Sequence, residues 1–363
     1  MSANSSLKAK LMSSLLWKAI MNVRLKLGAA IRLSCVTGSF LLGRCSYDKF
    51  RSFIVETIRT HRKLKMRAKG EAFNLSSYNG KRIMSLNEAN DFIGQAIDAG
   101  KPFMAARYGG VELNAAWRVR DDGKGFIAPV SRALSMLHNN AGFFPKDKTL
   151  IIKFADVMKE ATYQVDLLGV WFFIPMEEYF PRVYGNNPEY CIAHNLDPFI
   201  VSRPWSAKLE GKRVVVIHPF ADTIRSQYAK RELLFPGRNI LPEFSLRVVK
   251  AVQTIAGNKD ERFSDWFEAL DYMYAEAMKE DFDVGIIGCG AYGFPLAAKL
   301  KQAGKTAIHL GGVTQLMFGI RGRRWETAYK GAYPEMMKNP AWVSPADNEK
   351  PEGFQTIEGG CYW

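Results

Sequence analysis

The feature that most constrains this chain is a set of short apolar runs, each ending in a turn or glycine-bearing loop. Lys212–Ile217 (KRVVVI) runs into His218-Pro219-Phe220, Asp283–Ile287 (DVGII) into Gly288-Cys289-Gly290, and Thr306–Leu310 (TAIHL) into Gly311-Gly312. Lys101–Arg107 (KPFMAAR) and Gln164–Trp171 (QVDLLGVW) read as strands of the same kind. Helical patterns fall between them. Ser85–Gly100 opens on an N-cap serine, keeps an apolar stripe and stops at glycine. Asp265–Glu280 has an aromatic-rich face, and a helix running through Leu300 is closed by Gly304. Strands without polar alternation are buried on both faces, so alternation with helices implies a parallel sheet covered on both sides.

The expected fold is therefore α/β and Rossmann-like, a mostly parallel sheet with helices on both faces, plus a basic helical N-terminal extension. At 363 residues and 47% hydrophobic, the chain can bury a sizeable core. The expected division is a basic amphipathic extension over 1–72, a catalytic domain over 73–330, and an irregular C-terminal arm over 331–363. Charge sharpens that division. Residues 1–70 hold fifteen Lys/Arg against Asp48 and Glu56, so they carry +13 of the chain's +14. The body is nearly neutral, which argues against a nucleic acid partner. In 7–34, Leu11, Leu15, Ile20 and Leu27 recur at helical spacing among Lys8, Lys18, Arg24 and Lys26. Such a helix suits an anionic membrane surface, or packs on the body or another subunit. Arg59–Lys69 (RTHRKLKMRAK) reads as a second anchor or a solvated linker. The longest charge-free apolar run near the start has 11 residues, between Arg32 and Arg44, where a span needs about 20. Charges at Lys18, Arg24 and Lys26 also break any secretory signal. Five scattered cysteines without CxxC spacing suggest a reducing compartment. The expected location is cytoplasmic, with the basic segment able to lie on the inner face of the plasma membrane.

Four loops could carry chemistry. Gly288, Gly290 and Gly293 form G-x-G-x-x-G between a strand and a helix, where backbone N–H groups can approach a phosphate. A nicotinamide dinucleotide would also need an acid after the next strand, and His309-Leu310-Gly311-Gly312 offers none. In Arg107-Tyr108-Gly109-Gly110-Val111-Glu112, the arginine suits a phosphate and the glutamate a metal or a proton, or the two pair with each other. His218-Pro219-Phe220-Ala221-Asp222 ends a strand where open α/β sheets bind ligands. Gly311-Gly312-Val313-Thr314-Gln315, with Arg321-Gly322-Arg323-Arg324-Trp325 beyond it, suits an anionic ligand with a flat base, or is a solvated basic loop. No HExxH, Walker A, GxSxG or Cys/His zinc pattern is present.

Taken together, Ser85 to Trp325 resembles the GT-D glycosyltransferases, bacterial enzymes that build surface glycans and glycoproteins from nucleotide sugars. Their hallmark is a strand running into R-F-G-D-G-E, whose two acids bind a divalent metal and the sugar diphosphate. Arg107, Gly109 and Glu112 match that hallmark, and Gly110 stands where the first acid would be. GCGAYGFPLA and HLGGVTQLMFGIRGRRW resemble a subgroup associated with polysaccharide gene clusters. The resemblance implies transfer of a sugar from a nucleotide-diphosphate donor to a glycan or lipid-linked acceptor. It implies Glu112 as base or as ligand to Mn²⁺ or Mg²⁺. Arg107, Gly109, Gly288, Gly290 and Gly293 would hold donor phosphates, His218 and Asp222 would line the pocket catalytically, and Gly311, Gly312, Gln315 and Arg321 would hold donor or acceptor. Another Rossmann-type nucleotide-dependent enzyme, such as an oxidoreductase, and a non-catalytic membrane-tethered binding protein are the alternatives.

Overall fold

Nine strands form one sheet in the order β1-β2-β5-β4-β3-β9-β8-β6-β7 in the computed structural model, which describes residues 36–37, 39–69, 75–172, 174, 176–327 and 332–363. The strands are β1 (Ser77–Tyr78), β2 (Lys81–Met84), β3 (Phe103–Ala106), β4 (Leu167–Val170), β5 (Glu189–Ile192), β6 (Arg213–His218), β7 (Ser245–Lys250), β8 (Val284–Ile287) and β9 (Thr306–His309). β1 and β2 are antiparallel and every other pairing is parallel. The all-parallel centre explains why β3, β4, β8 and β9 are buried at every position. β3 and β9 lie side by side although about two hundred residues separate them. The loops after β3, β6, β8 and β9 therefore all emerge on the same edge.

One face of the sheet is covered by helices Gly110–Trp117, Ser131–Ala141, Leu150–Tyr163, Trp266–Met278 and Gly293–Gln302. Helices Leu86–Ala99 and Ala221–Tyr228 and the C-terminal residues cover the other. The signals read for Leu86–Ala99 are present in full. Ser85 and Glu88 form a reciprocal capping box, and Gly100 takes the left-handed conformation. Asp265 likewise caps Trp266–Met278 through the N–H groups of Phe267 and Glu268.

The helix expected over 7–34 lies outside the described residues. Arg59–Lys69 falls largely within helix Tyr47–Ala68, which packs on the body. Phe53 stacks on Trp117 with ring centres 5.4 Å apart. Lys49 donates to the Val119 carbonyl at 2.6 Å and pairs with Asp121 at 2.9 Å. Lys63 donates to the Trp171 carbonyl at 2.8 Å. At the other terminus Tyr333 and Trp342 are buried in the opposite face of the core, and the chain returns across the sheet edge through Tyr362 and Trp363.

Candidate active site

The convergence expected of the strand-end loops is present. Arg107, His218, Gly290 and Gly312, each at or just beyond the end of a different parallel strand, line one cavity of about 580 Å³. That volume is in the range of small-ligand sites, and its place on the strand-end edge is where open α/β sheets bind ligands. Gly109, Glu112, Gly288, Gly311 and Gln315 line it too. Asp222, Gly293 and Arg321 are not among its walls. Asp222 is on the exposed side of its helix, paired with Arg225 at 2.7 Å. Arg321 reaches away toward the Asn339 carbonyl. Gly293 lies behind the wall, where a side chain would strike the His309 ring.

Arg107 lies under the cavity floor. Its guanidinium donates to the Leu310 carbonyl through Nε (3.0 Å) and Nη2, to the Ala193 carbonyl at 3.1 Å and to Asp197 at 3.0 Å. Trp171 covers its face with 5.3 Å between guanidinium and ring. Four of its five N–H groups (the full complement of a guanidinium) are thus committed to protein acceptors. Asp197 is fully buried and also accepts from the Tyr333 hydroxyl at 2.6 Å. Burial pushes the Asp197 carboxyl up, but Arg107 foremost, with His194 and Tyr333, brings it below the ordinary carboxylate range. The result is a clamp joining β3, β9 and the loop after β5.

Glu112 sits in the first turn of helix Gly110–Trp117, with its carboxylate folded back against Gly109. A side chain at 109 would push that carboxylate out of its place. Burial raises the Glu112 carboxyl above its usual range, and the negative charge of Glu358 adds to the rise. The N–H groups of Glu112 and Val111 oppose both. The carboxyl is therefore tuned toward accepting a proton, as a general base requires.

Two buried histidines flank it in complementary forms. The Phe220 N–H donates to His218 Nδ1 at 3.0 Å, so neutral His218 carries its proton on Nε2. His309 Nδ1 faces the Arg107 carbonyl at 3.1 Å and must donate, leaving Nε2 as the acceptor. Burial pushes His218 down to about 3. Burial and the Arg107 charge push His309 to about 3 as well, against the pull of its bond to the Arg107 carbonyl. Both rings are neutral at physiological pH.

His309 had no assigned role in the sequence, and neither did the C-terminal residues that form the far wall. Gly312 packs so closely on Tyr362 that a side chain at 312 would enter its ring. The Gly311-Gly312 pair therefore admits an aromatic side chain as well as facing the cavity. Gln315 is held by the carbonyls of Arg321 (2.7 Å) and Tyr362 (3.1 Å), and its Oε1 is buried without a partner. Of the arginines in RGRRW, Arg324 lines the cavity, lying 4.7 Å from the Tyr362 ring. A basic residue beside the tryptophan was legible, but which arginine turns inward was not. Cys289 also lines the cavity, but burial holds its thiol far above the ordinary range, so it makes a poor nucleophile.

The donor set does not fit a resident divalent cation. Gly110 supplies no ligand, the Glu112 carboxylate is turned onto its own helix, and among the described residues no three of His, Cys, Asp or Glu come together.

No family model and no curated protein matches this chain. Two solved structures resemble it: a selenomethionine-substituted domain of unknown function 1792, and that domain described as highly conserved with a distinct glycosyltransferase fold. Each is 12% identical, covers 75% of this chain and 93% of its own, and superposes with a TM-score of 0.40. A likeness that loose assigns no activity to this chain.

Proposed function

We propose that this chain is a glycosyltransferase that moves a sugar from a nucleoside diphosphate donor to a glycan acceptor, in the assembly of a surface polysaccharide. The observation that carries the reading is the single cavity on which loops from four strand ends converge. Its walls hold a carboxyl tuned toward proton uptake and a neutral imidazole with an N–H to give. Sugar transfer needs both: a base for the acceptor hydroxyl and donors for the charge that develops on the leaving diphosphate. Glu112 takes the first role. His218 Nε2–H and the backbone N–H groups near Gly290, ahead of helix Gly293–Gln302, take the second. Arg107 acts as the brace that keeps the loops in register. Trp171, Tyr362 and Trp363 offer flat surfaces for a base or sugar ring. The cavity edge shows no carboxylate after β9 to hold a dinucleotide ribose, which favours this reading over a nicotinamide enzyme.

Helix Tyr47–Ala68 supports an anionic bilayer surface on one side of the molecule. It turns Tyr47, Ile58, Arg62 and Lys65 to solvent, just after the exposed Leu41 and Leu42. A lipid-linked acceptor would meet the enzyme there. Among the described residues no helix is long and apolar enough to cross a membrane.

Incubating the full chain with a panel of UDP- and GDP-sugars, and following donor hydrolysis and transfer, tests the proposal. Glu112→Gln should lower turnover about 100-fold or more while leaving the fold intact. Unchanged turnover would remove Glu112 from the chemistry. Thermal stabilisation by NAD but by no nucleotide sugar would replace the transferase reading with an oxidoreductase.

A further inference from the structure

We propose that Arg324 anchors the donor diphosphate in the place a divalent cation would otherwise hold, and that Glu358 occupies Arg324 as a carboxylate stand-in until the diphosphate arrives. The inference rests on the reading of the cavity as a nucleoside diphosphate site. It starts from a shortage of positive charge. Arg107 is spent on Asp197 and two carbonyls, Gly110 removes one acid, and no metal-ligating trio exists among the described residues. A diphosphate in this cavity still has to be neutralised, and Arg324 is the cation on the wall with access to solvent.

Its surroundings are those of a phosphate-binding arginine with the phosphate site taken by a carboxylate. Nη2 pairs with Glu358 Oε2 and lies 3.2 Å from Cys361 Sγ, and Nη1 donates to the Tyr362 hydroxyl at 3.2 Å. The Tyr362 ring lies against the guanidinium and holds it in plane. Carboxylate and phosphate oxygens take the same fork geometry on a guanidinium, so one can replace the other. Glu358 is suited to leave. Its side chain is 53% exposed against 28% for Arg324, and it sits at φ 49°, a left-handed conformation unfavourable for a glutamate. Gly359 and Gly360 continue that turn at φ 73° and 75° and return the chain to the cavity at Tyr362. Release of Glu358 would also withdraw the charge that adds to the rise burial imposes on the Glu112 carboxyl.

Titration calorimetry of the full chain with GDP, UDP and inorganic pyrophosphate, in EDTA and then with Mn²⁺, tests the anchor. Binding should persist in EDTA, Arg324→Gln should weaken it about tenfold or more, and Glu358→Gln should tighten it about threefold. Both substitutions break the same ion pair, so a merely structural latch would move affinity in the same direction for both, and that result overturns the proposal. So does binding that needs Mn²⁺ and ignores Arg324, and so does a failure of pyrophosphate to bind. Arg324-dependent binding of pyrophosphate without any nucleoside diphosphate keeps the anchor and discards the donor reading instead.

Discussion

The cavity edge and the seam beneath helix Tyr47–Ala68 both bury titratable groups, and they bury them in opposite senses. At the cavity, His218 and His309 are imidazoles whose burial expels the proton, and each has one ring nitrogen committed to the backbone and the other not. At the seam, Glu56 and Glu177 are carboxyls whose burial retains it, raised to about 7 and about 8. Burial outweighs the Arg59 and Tyr78 partners of Glu56. It also outweighs the Trp171 and Phe172 N–H groups that bond Glu177. At the seam Glu56 Oε1 bonds Arg59 and Tyr78 and Glu177 bonds the loop carrying Trp171, while Glu56 Oε2 is buried without a partner. At the cavity, each histidine keeps Nε2 off the backbone, one as a donor and one as an acceptor. Neither buried polarity nor an unpartnered atom marks a site by itself; the difference is that the cavity groups face a space a ligand can enter and Glu56 does not.

The largest effect should follow from breaking the clamp on the cavity side. Asp197→Ala strands the buried Arg107 guanidinium and removes the acceptor of Tyr333, at a cost of about 3–5 kcal/mol in urea unfolding. Glu112→Gln, by contrast, should silence turnover with little change in stability. If Asp197→Ala proved as stable as the parent, Arg107 would be free for a ligand after all, and the brace assigned to it would fail.

The second test uses pH, because the two regions tilt stability in opposite directions. The folded histidines titrate near 3 and ordinary ones near 6.5, so the unfolded chain takes up protons that the fold refuses. Their contribution is full above about 6.5 and is lost as pH falls toward 3, on the order of 5 kcal/mol for His218. Glu56 holds its proton up to about 7 in the fold and only to about 4.5 when unfolded. Its contribution is full below 4.5 and is lost as pH rises through 7, on the order of 3 kcal/mol. His218→Gln should flatten the acid limb of the stability curve and Glu56→Gln the alkaline limb. If each variant flattened the other limb, the assignment of the two regions would be reversed.

How much of this was legible depends on whether the signal was local. β3, β4, β6, β8 and β9 were readable because strands buried on both faces are apolar runs in any context. β7 was not read. It is an edge strand with Arg247 half-buried and Ser245 and Lys250 exposed, so its pattern is mixed. Helix Tyr47–Ala68 was not read as a docked helix either, because its inner face is Lys49, Ser52, Phe53 and Glu56, largely polar, and hydropathy has no stripe to detect. The glycine loops were legible as turns, but their reasons were not. Gly312 is explained by Tyr362, fifty residues later, and Arg107 by Asp197, ninety residues later. Pairings of that reach leave no spacing in the sequence. The ending GGCYW reads as an arm, and nothing in it announces that its rings wall the cavity.

The smallest effect should come from the outer face of the seam helix, and it separates glue from docking surface. Ile58 is 64% exposed on the side opposite Glu56, and Lys65 lies on the same stripe. A basic residue near an anionic bilayer contributes about 1 kcal/mol, so Lys65→Gln should weaken co-sedimentation with phosphatidylglycerol vesicles about fivefold. Added salt should erase the difference, since it screens charges over about 10 Å at 0.1 M. Phosphatidylcholine vesicles should show no difference between the two proteins. The inner face predicts the contrast: Glu56→Gln should leave vesicle binding alone while changing the pH dependence of unfolding. If Lys65→Gln bound anionic vesicles as well as the parent, that face would not be the one that meets the bilayer.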